Sequence, residues 1–317
     1  MQNSATATPF DAEFSVRALH GKTNEPKPLH AFQKILQVFA LASLLISTGV
    51  SAEKVQFPGA KADGYAHMPT VSATLEMPET AARPVPAVVV LHGSGGIDGR
   101  GEFHAKALRK AGYATLEVFM FEPGNRFKEG HISTLTHAYG ALAYLAGRSD
   151  IIPTKIGAIG FSWGGNLSLL AASDSVHRSF FPSGSPKFAA HAPFYAVWWQ
   201  HSKRITDPAV PAYGAYSALT GVPVMLFAGG KDDYGPPDAA QTFLNQLPPQ
   251  AKSLVSLQFY PSATHGWDSP PGRNRTIQDT SANEGKGGAV RFWPDSAVAE
   301  DSRAKVVAFF TASFAKP

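Results

Sequence analysis

Gly160-Phe161-Ser162-Trp163-Gly164, extended by Gly165, is the stretch on which the reading of this chain turns. An apolar run, Ile156 to Ile159, precedes it, and a small-residue apolar stretch, Leu167 to Ala172, follows. A strand that turns sharply into a helix crowds its own backbone, and small residues on both sides of the turn relieve the crowding. Such a turn lifts the central hydroxyl, Ser162, to the end of a sheet and the start of a helix. There the first N–H groups have no intrahelical partner and favour developing negative charge. In a chain with 29 glycines the competing reading is a tight turn without chemistry. The flanking strand and helix weigh against it.

Three further segments fall at predicted strand ends. Leu91-His92-Gly93-Ser94-Gly95-Gly96 follows the continuous apolar run Ala87 to Leu91. Its glycines let a backbone N–H, that of Ser94, face a substrate carbonyl, with the N–H of Trp163 as second donor of an oxyanion hole. A phosphate loop would need a Lys-Ser/Thr ending or a full G-x-G-x-x-G, and neither is present. His92 reads as a structural residue under the loop. Gly229-Gly230-Lys231-Asp232-Asp233 follows Val222 to Ala228, and a carboxylate there can orient an imidazole. Asp232, nearer the strand, is preferred over Asp233, which reads as a dispensable turn or solvated charge. His265, in Pro261-Ser262-Ala263-Thr264-His265-Gly266-Trp267, supplies the imidazole. Serine, acid, histidine is the chain order of an α/β-hydrolase triad. Order decides it, since eleven histidines are available by chance.

Around these segments, apolar runs alternate with helical patterns, as a mostly parallel central sheet flanked by helices requires. Strands are predicted at Tyr113 to Phe119, Lys187 to Phe194 and the alternating Val255, Leu257 and Phe259. Val71 to Met77 is predicted as an antiparallel edge strand. Helices are predicted over Phe103 to Ala111, along the face Ile132, Leu135, Tyr139, Leu142 and Leu145, and near Val298 to Phe314. Residues 269–290 read as a long surface loop or a partial lid. Phe194, Tyr195, Trp198 and Trp199 are candidates for the cleft wall, with core packing as the alternative.

The chain has 317 residues, 44 % hydrophobic and 16 % charged, which suits one substantial globular domain. Its net charge of +4 is spread without a basic run, which argues against nucleic-acid binding. The absence of cysteine excludes disulfides, thiolate metal sites and a cysteine nucleophile. Lys34, the apolar stretch Ile35 to Ala52 and its small-residue end Val50-Ser51-Ala52 read as a secretory signal cleaved after Ala52. The polar residues 1–30 ahead of it are an unusually long leader or a misplaced start. An uncleaved anchor or a docked amphipathic helix are the alternatives. The expected division is an N-terminal extension and signal peptide, 1–52, and one hydrolase domain, 53–317. The product would be exported, periplasmic or secreted, without a stable membrane anchor after processing.

The stretches VVVLHGSGG, AGYATLEVF, IGAIGFSWGGNLSLLAA, VPVMLFAGGKDDYGPP and FYPSATHGWD resemble the dienelactone hydrolase family of the α/β-hydrolase superfamily, over roughly residues 84–315. The family's Gly-x-x-Asp pattern falls on Gly229 to Asp232, which supports Asp232. Two departures stand out. The family typically carries a cysteine nucleophile and a glutamate in the loop after the third strand, where this chain has Ser162 and Gly93. An arginine that follows the histidine and holds a substrate carboxylate is also missing, since Gly266, Trp267 and Asp268 come first and the next arginine is Arg273. Arg126, beyond the Tyr113 to Phe119 strand, is a conceivable substitute, but nothing in its spacing aims it at the cleft. The resemblance therefore implies an α/β-hydrolase fold and a serine hydrolase acting on a small carboxylic ester or lactone, without metal or organic cofactor. A peptidase or acyltransferase with the same triad, and a non-catalytic binding protein, are the alternatives.

Overall fold

The computed structural model describes residues 52–61, 70–79, 81–122, 126–180, 186–272 and 274–315, and the predicted export signal lies outside them. Strand β1 is Glu53–Pro58, β2 Thr70–Glu76 and β3 Val85–Leu91. Helix α1 is Arg100–Lys110, β4 Ala114–Phe119, α2 Arg126–Ala146 and β5 Ile151–Phe161. Then come α3 Trp163–Ala171, α4 Asp174–Phe180, β6 Ala190–Phe194, α5 Trp198–Thr206 and β7 Val224–Gly229. The chain continues through α6 Ala239–Gln246, α7 Pro249–Lys252, β8 Val255–Tyr260, β9 Arg275–Asp279 and α8 Ala282–Gly285. It ends with β10 Gly288–Phe292 and α9 Ser296–Phe314.

Eight strands form one sheet in the order β1-β2-β4-β3-β5-β6-β7-β8. From β4 to β8 neighbouring strands are parallel, and β2 is antiparallel to both β1 and β4. Strand β3 is apolar along its whole length because both faces of the sheet are covered there. In β3, Ala87, Val89 and Leu91 join the core formed with Leu135 and Leu142 of α2, Leu167 and Leu170 of α3 and Phe243 of α6. Val88 and Val90 face the other way, against Ala105 and Leu108 of α1 and Val306 and Phe310 of α9. Burying each of these valines contributes about 1.5–3 kcal/mol relative to exposure. Helix α9 starts cleanly because Asp295 accepts hydrogen bonds from the N–H groups of Ala297 and Val298.

Three expectations are corrected. The strand predicted at Val71 to Met77 is antiparallel but not at the edge, since Glu53–Pro58 pairs along its outer side. In that short outer strand only Val55 and Phe57 turn inward. The segment 269–290 is not a plain loop. Within it and just beyond, β9 and β10 pair as an antiparallel hairpin that carries α8 between its strands. The strand predicted from Lys187 begins only at Ala190. Among the described residues no helix is long and apolar enough to cross a membrane.

Candidate active site

The turn between β5 and α3 has the crowding that its sequence implies. A Cβ on Gly160 would sit 2.0 Å from the carbonyl oxygen of Gly164, and one on Gly164 would sit 2.0 Å from that of Leu91. No side chain larger than hydrogen fits at either position. Ser162 itself has φ 53° and ψ −107°, a backbone conformation that L-residues rarely adopt. Its N–H donates to the carbonyl of Phe194, and its carbonyl accepts from the N–H of Asn166. The backbone is thus held from both sides while the hydroxyl makes no cap to α3.

That hydroxyl lies 2.8 Å from Nε2 of His265, and Nδ1 of His265 lies 2.8 Å from Oδ2 of Asp232. The other carboxylate oxygen, Oδ1, accepts from the N–H of Tyr234. Asp232 can only accept, so the imidazole carries its proton on Nδ1 and turns the lone pair of Nε2 toward the serine. Three residues spread over the chain are brought into one relay. Asp232 follows the end of β7 and His265 the end of β8, so both come from the same end of the sheet as the turn after β5. His265 is fully buried, with Tyr195, Tyr234 and Phe292 packed edge-on against its ring at 4.6–5.1 Å. These rings leave the imidazole little freedom to swing.

Ser94 and Trp163, the two expected oxyanion donors, flank Ser162 in a small cavity of about 50 Å³. His131, Asn166, Val197, Gln200, Tyr234, Asp279 and Ser281 complete its lining. The loop that carries Ser94 is braced by His92. Its Nδ1–H donates to the carbonyl of Gly93 at 2.7 Å, and its Nε2 accepts from the N–H of Met120. Burial, offset only in part by the Gly93 bond, brings the His92 pKa down to about 4, so the ring stays neutral and structural, as the sequence suggests.

The cavity wall differs from expectation. Phe194 is stacked on Phe227 in the core, and Trp198 packs there near Phe243. Tyr195 is buried beside His265 and does not line the cavity. Trp199 contributes no lining but fixes Ser281 by donating to its carbonyl from Nε1. The lining comes instead from α2, α5 and the hairpin, which carry no motif. One wall is built on the Trp163 ring, stacked 4.1 Å from His131, whose Nε2 faces Asn166 Nδ2 at 3.2 Å. Asn166 Oδ1 in turn accepts from His201 Nε2 and the N–H of Val197.

Asp233 also departs from its reading as a dispensable charge. Its carboxylate takes three hydrogen bonds from Arg291 of β10, at 2.6–2.9 Å, two from the guanidinium and one from the backbone N–H. Burial opposes the charge, but these bonds and the arginine's charge outweigh it and hold the carboxyl below the usual carboxylate range. Tyr234 donates its hydroxyl to Asp279, and the N–H of Glu284 donates to the carbonyl of Tyr234. Neighbours of Asp232 therefore clamp the hairpin over the cavity. Among the described residues, no trio of His, Asp or Glu gathers to hold a metal.

The sequence pattern of the dienelactone hydrolase family matches residues 71–313. No curated protein matches the sequence. Among solved structures, a dienelactone hydrolase-like protein from Klebsiella pneumoniae superposes with a TM-score of 0.57 at 18 % identity, over 82 % of this chain and 99 % of its own. Est1E from Butyrivibrio proteoclasticus gives 0.53 at 17 %, over 83 % and 100 %. Esterase 2 from Thermogutta terrifontis gives 0.57 at 16 %, over 83 % and 94 %. The shared fold is that of the α/β-hydrolases. With a match across more than half its length, the chain belongs to the dienelactone hydrolase family and is a hydrolase of the esterase kind.

Proposed function

We propose that this protein hydrolyses small, neutral carboxylic esters through an acyl-enzyme on Ser162. The observation that carries the reading is the continuous relay of two 2.8 Å contacts from Ser162 through His265 to Asp232 at the strained turn. His265 Nε2 takes the hydroxyl proton as Ser162 Oγ attacks the ester carbonyl. Asp232 stabilises the imidazolium that forms, and the N–H groups of Ser94 and Trp163 receive the oxyanion. The imidazolium then gives its proton to the departing alcohol. Water, activated by the same nitrogen, releases the acid.

Two structural relatives support this chemistry by analogy. The Thermogutta enzyme is phosphorylated by paraoxon and has been seen with propionate, and Est1E binds ferulic acid. A cavity of about 50 Å³ has room for a short acyl group. Its described lining offers imidazole, amide, hydroxyl and carboxylate groups but no arginine or lysine. Arg273 lies outside the described residues, as does the side chain of Arg126 at the start of α2. Burying a substrate carboxylate without a cation costs several kcal/mol, so the lining favours neutral esters over the family's dienelactones.

Purified protein is expected to bind one equivalent of a fluorophosphonate and to hydrolyse p-nitrophenyl acetate and propionate. Its kcat/KM on these should exceed that on longer acyl chains and on a carboxylate-bearing dienelactone by about tenfold or more. A folded protein that neither labels nor turns over would be a binding protein on a hydrolase fold. Faster transfer to an added alcohol or cleavage of peptides would move it to acyltransfer or proteolysis.

We also propose export, on the strength of Lys34 and the Ile35 to Ala52 stretch. Sequencing of the mature protein should begin at Glu53. A full-length cytosolic product would contradict it.

A further inference from the structure

Arg100 is the first residue of α1, is 2 % exposed and does not line the cavity. Asp98 holds it with contacts of 2.7–3.0 Å to Nε and Nη2. The fork of its guanidinium lies between two loops. A Cβ on Gly93, beside the expected oxyanion donor, would come 3.0 Å from Nη2, and the same Cβ would stand 3.6 Å from Cβ of Ser162. A Cβ on Gly266, the residue after His265, would come 3.2 Å from Nη1. A Cβ at either glycine would crowd the fork, which would have to give by a few tenths of an ångström.

The other side of the fork is equally committed. Nη1 reaches the Tyr195 hydroxyl at 3.4 Å, and that hydroxyl donates to Asp268 Oδ1 at 2.6 Å. Asp268 Oδ2 lies 2.8 Å from Nε2 of His104, one turn further along α1. Asp268 belongs to the loop of His265, and Tyr195 is held at φ 34° with its ring against the imidazole. Burial opposes the charge on Arg100, but Tyr195, Asp98 and Asp268 together outweigh it and hold its pKa above the usual guanidinium value. A buried charge network of this kind stabilises a fold no better than apolar packing of the same volume. Its distinctive property is direction, since each bond fixes one group relative to another.

The geometry points to Arg100 as a positioning residue, which sets the Gly93–Ser94 loop and the His265 loop at a fixed offset so that oxyanion donor and base meet Ser162 together. This inference rests on the serine-hydrolase reading above. It implies a loss in the chemical step with little loss in binding, because a misplacement of about 1 Å costs on the order of 100-fold in rate.

The experiment compares wild type with Arg100→Lys, Arg100→Met and Asp98→Asn/Arg100→Met, by steady-state kinetics on p-nitrophenyl acetate, rate of fluorophosphonate labelling and thermal unfolding. Arg100→Met should lower kcat and the labelling rate together by about 10- to 100-fold, with KM within about threefold. The double variant removes the carboxylate left without its partner. It should regain thermal stability while kcat stays low. Arg100→Lys keeps the charge but loses the fork, so it should fall between. Recovery of kcat along with stability in the double variant would make the role structural and overturn the inference. If neither methionine variant folds, a folded Arg100→Lys with wild-type kcat overturns it equally. Failure of wild type itself to label would instead strike the serine-hydrolase reading.

Discussion

Ser162→Ala is expected to abolish fluorophosphonate labelling and to lower ester hydrolysis on the order of 10⁴-fold or more. The change removes one oxygen atom, and among its contacts the hydroxyl counts a 2.8 Å bond to His265 but no cap to α3. The backbone at φ 53° is held by the Phe194 carbonyl and the Asn166 N–H, both contacts of main-chain atoms that alanine retains. The thermal midpoint should therefore stay close to that of wild type while activity disappears. What survives would come from the cavity and the oxyanion donors alone. Labelling of the alanine variant at the wild-type rate would place the nucleophile elsewhere.

Asp232→Asn should cost nearly as much, roughly 10³- to 10⁴-fold in kcat, for a different reason. The asparagine can keep the bond from the N–H of Tyr234 through its carbonyl oxygen. Its amide nitrogen then faces Nδ1 of His265, where it donates instead of accepting. The imidazole shifts its proton to Nε2 and presents a hydrogen, not a lone pair, to Ser162. Asp233→Asn makes the informative control. It weakens the clamp on Arg291, so KM should rise several-fold while kcat remains within about threefold. Equal losses of kcat in the two variants would mean that the distinction drawn between neighbouring carboxylates is wrong.

The parts of the molecule that were legible in the sequence share one cause. Val88 to Val90 are apolar without alternation because helices cover both faces of β3, and that pattern survives in a linear string. The glycines around Ser162 are legible because a Cβ at Gly160 or Gly164 would meet backbone 2.0 Å away. What stayed hidden depends on contacts between remote, unpatterned positions. Asp233 and Arg291 are 58 residues apart, and neither carries a sign of the other. RTIQD is short and mostly polar, and GAVRF is equally short and opens on a glycine, so their pairing leaves almost no period to read. His131 and Gln200 reach the cavity because the sheet brings α2 and α5 to its open end. Arg100 belongs to no motif and precedes the helix read from Phe103 to Ala111. Only its burial between two glycines sets it apart.

The hairpin of β9 and β10 leaves the domain after β8 and returns to it before α9, in one uninterrupted run of chain. It gives Asp279 and Ser281 to the cavity but no member of the Ser162–His265–Asp232 relay. Part of what the cavity presents to a substrate is thus encoded apart from the Ser162–His265–Asp232 relay. A change at Ser281 can reshape that part of the wall while Arg291 keeps its hold on Asp233 and Asp279 its bond to Tyr234, the residue packed on His265.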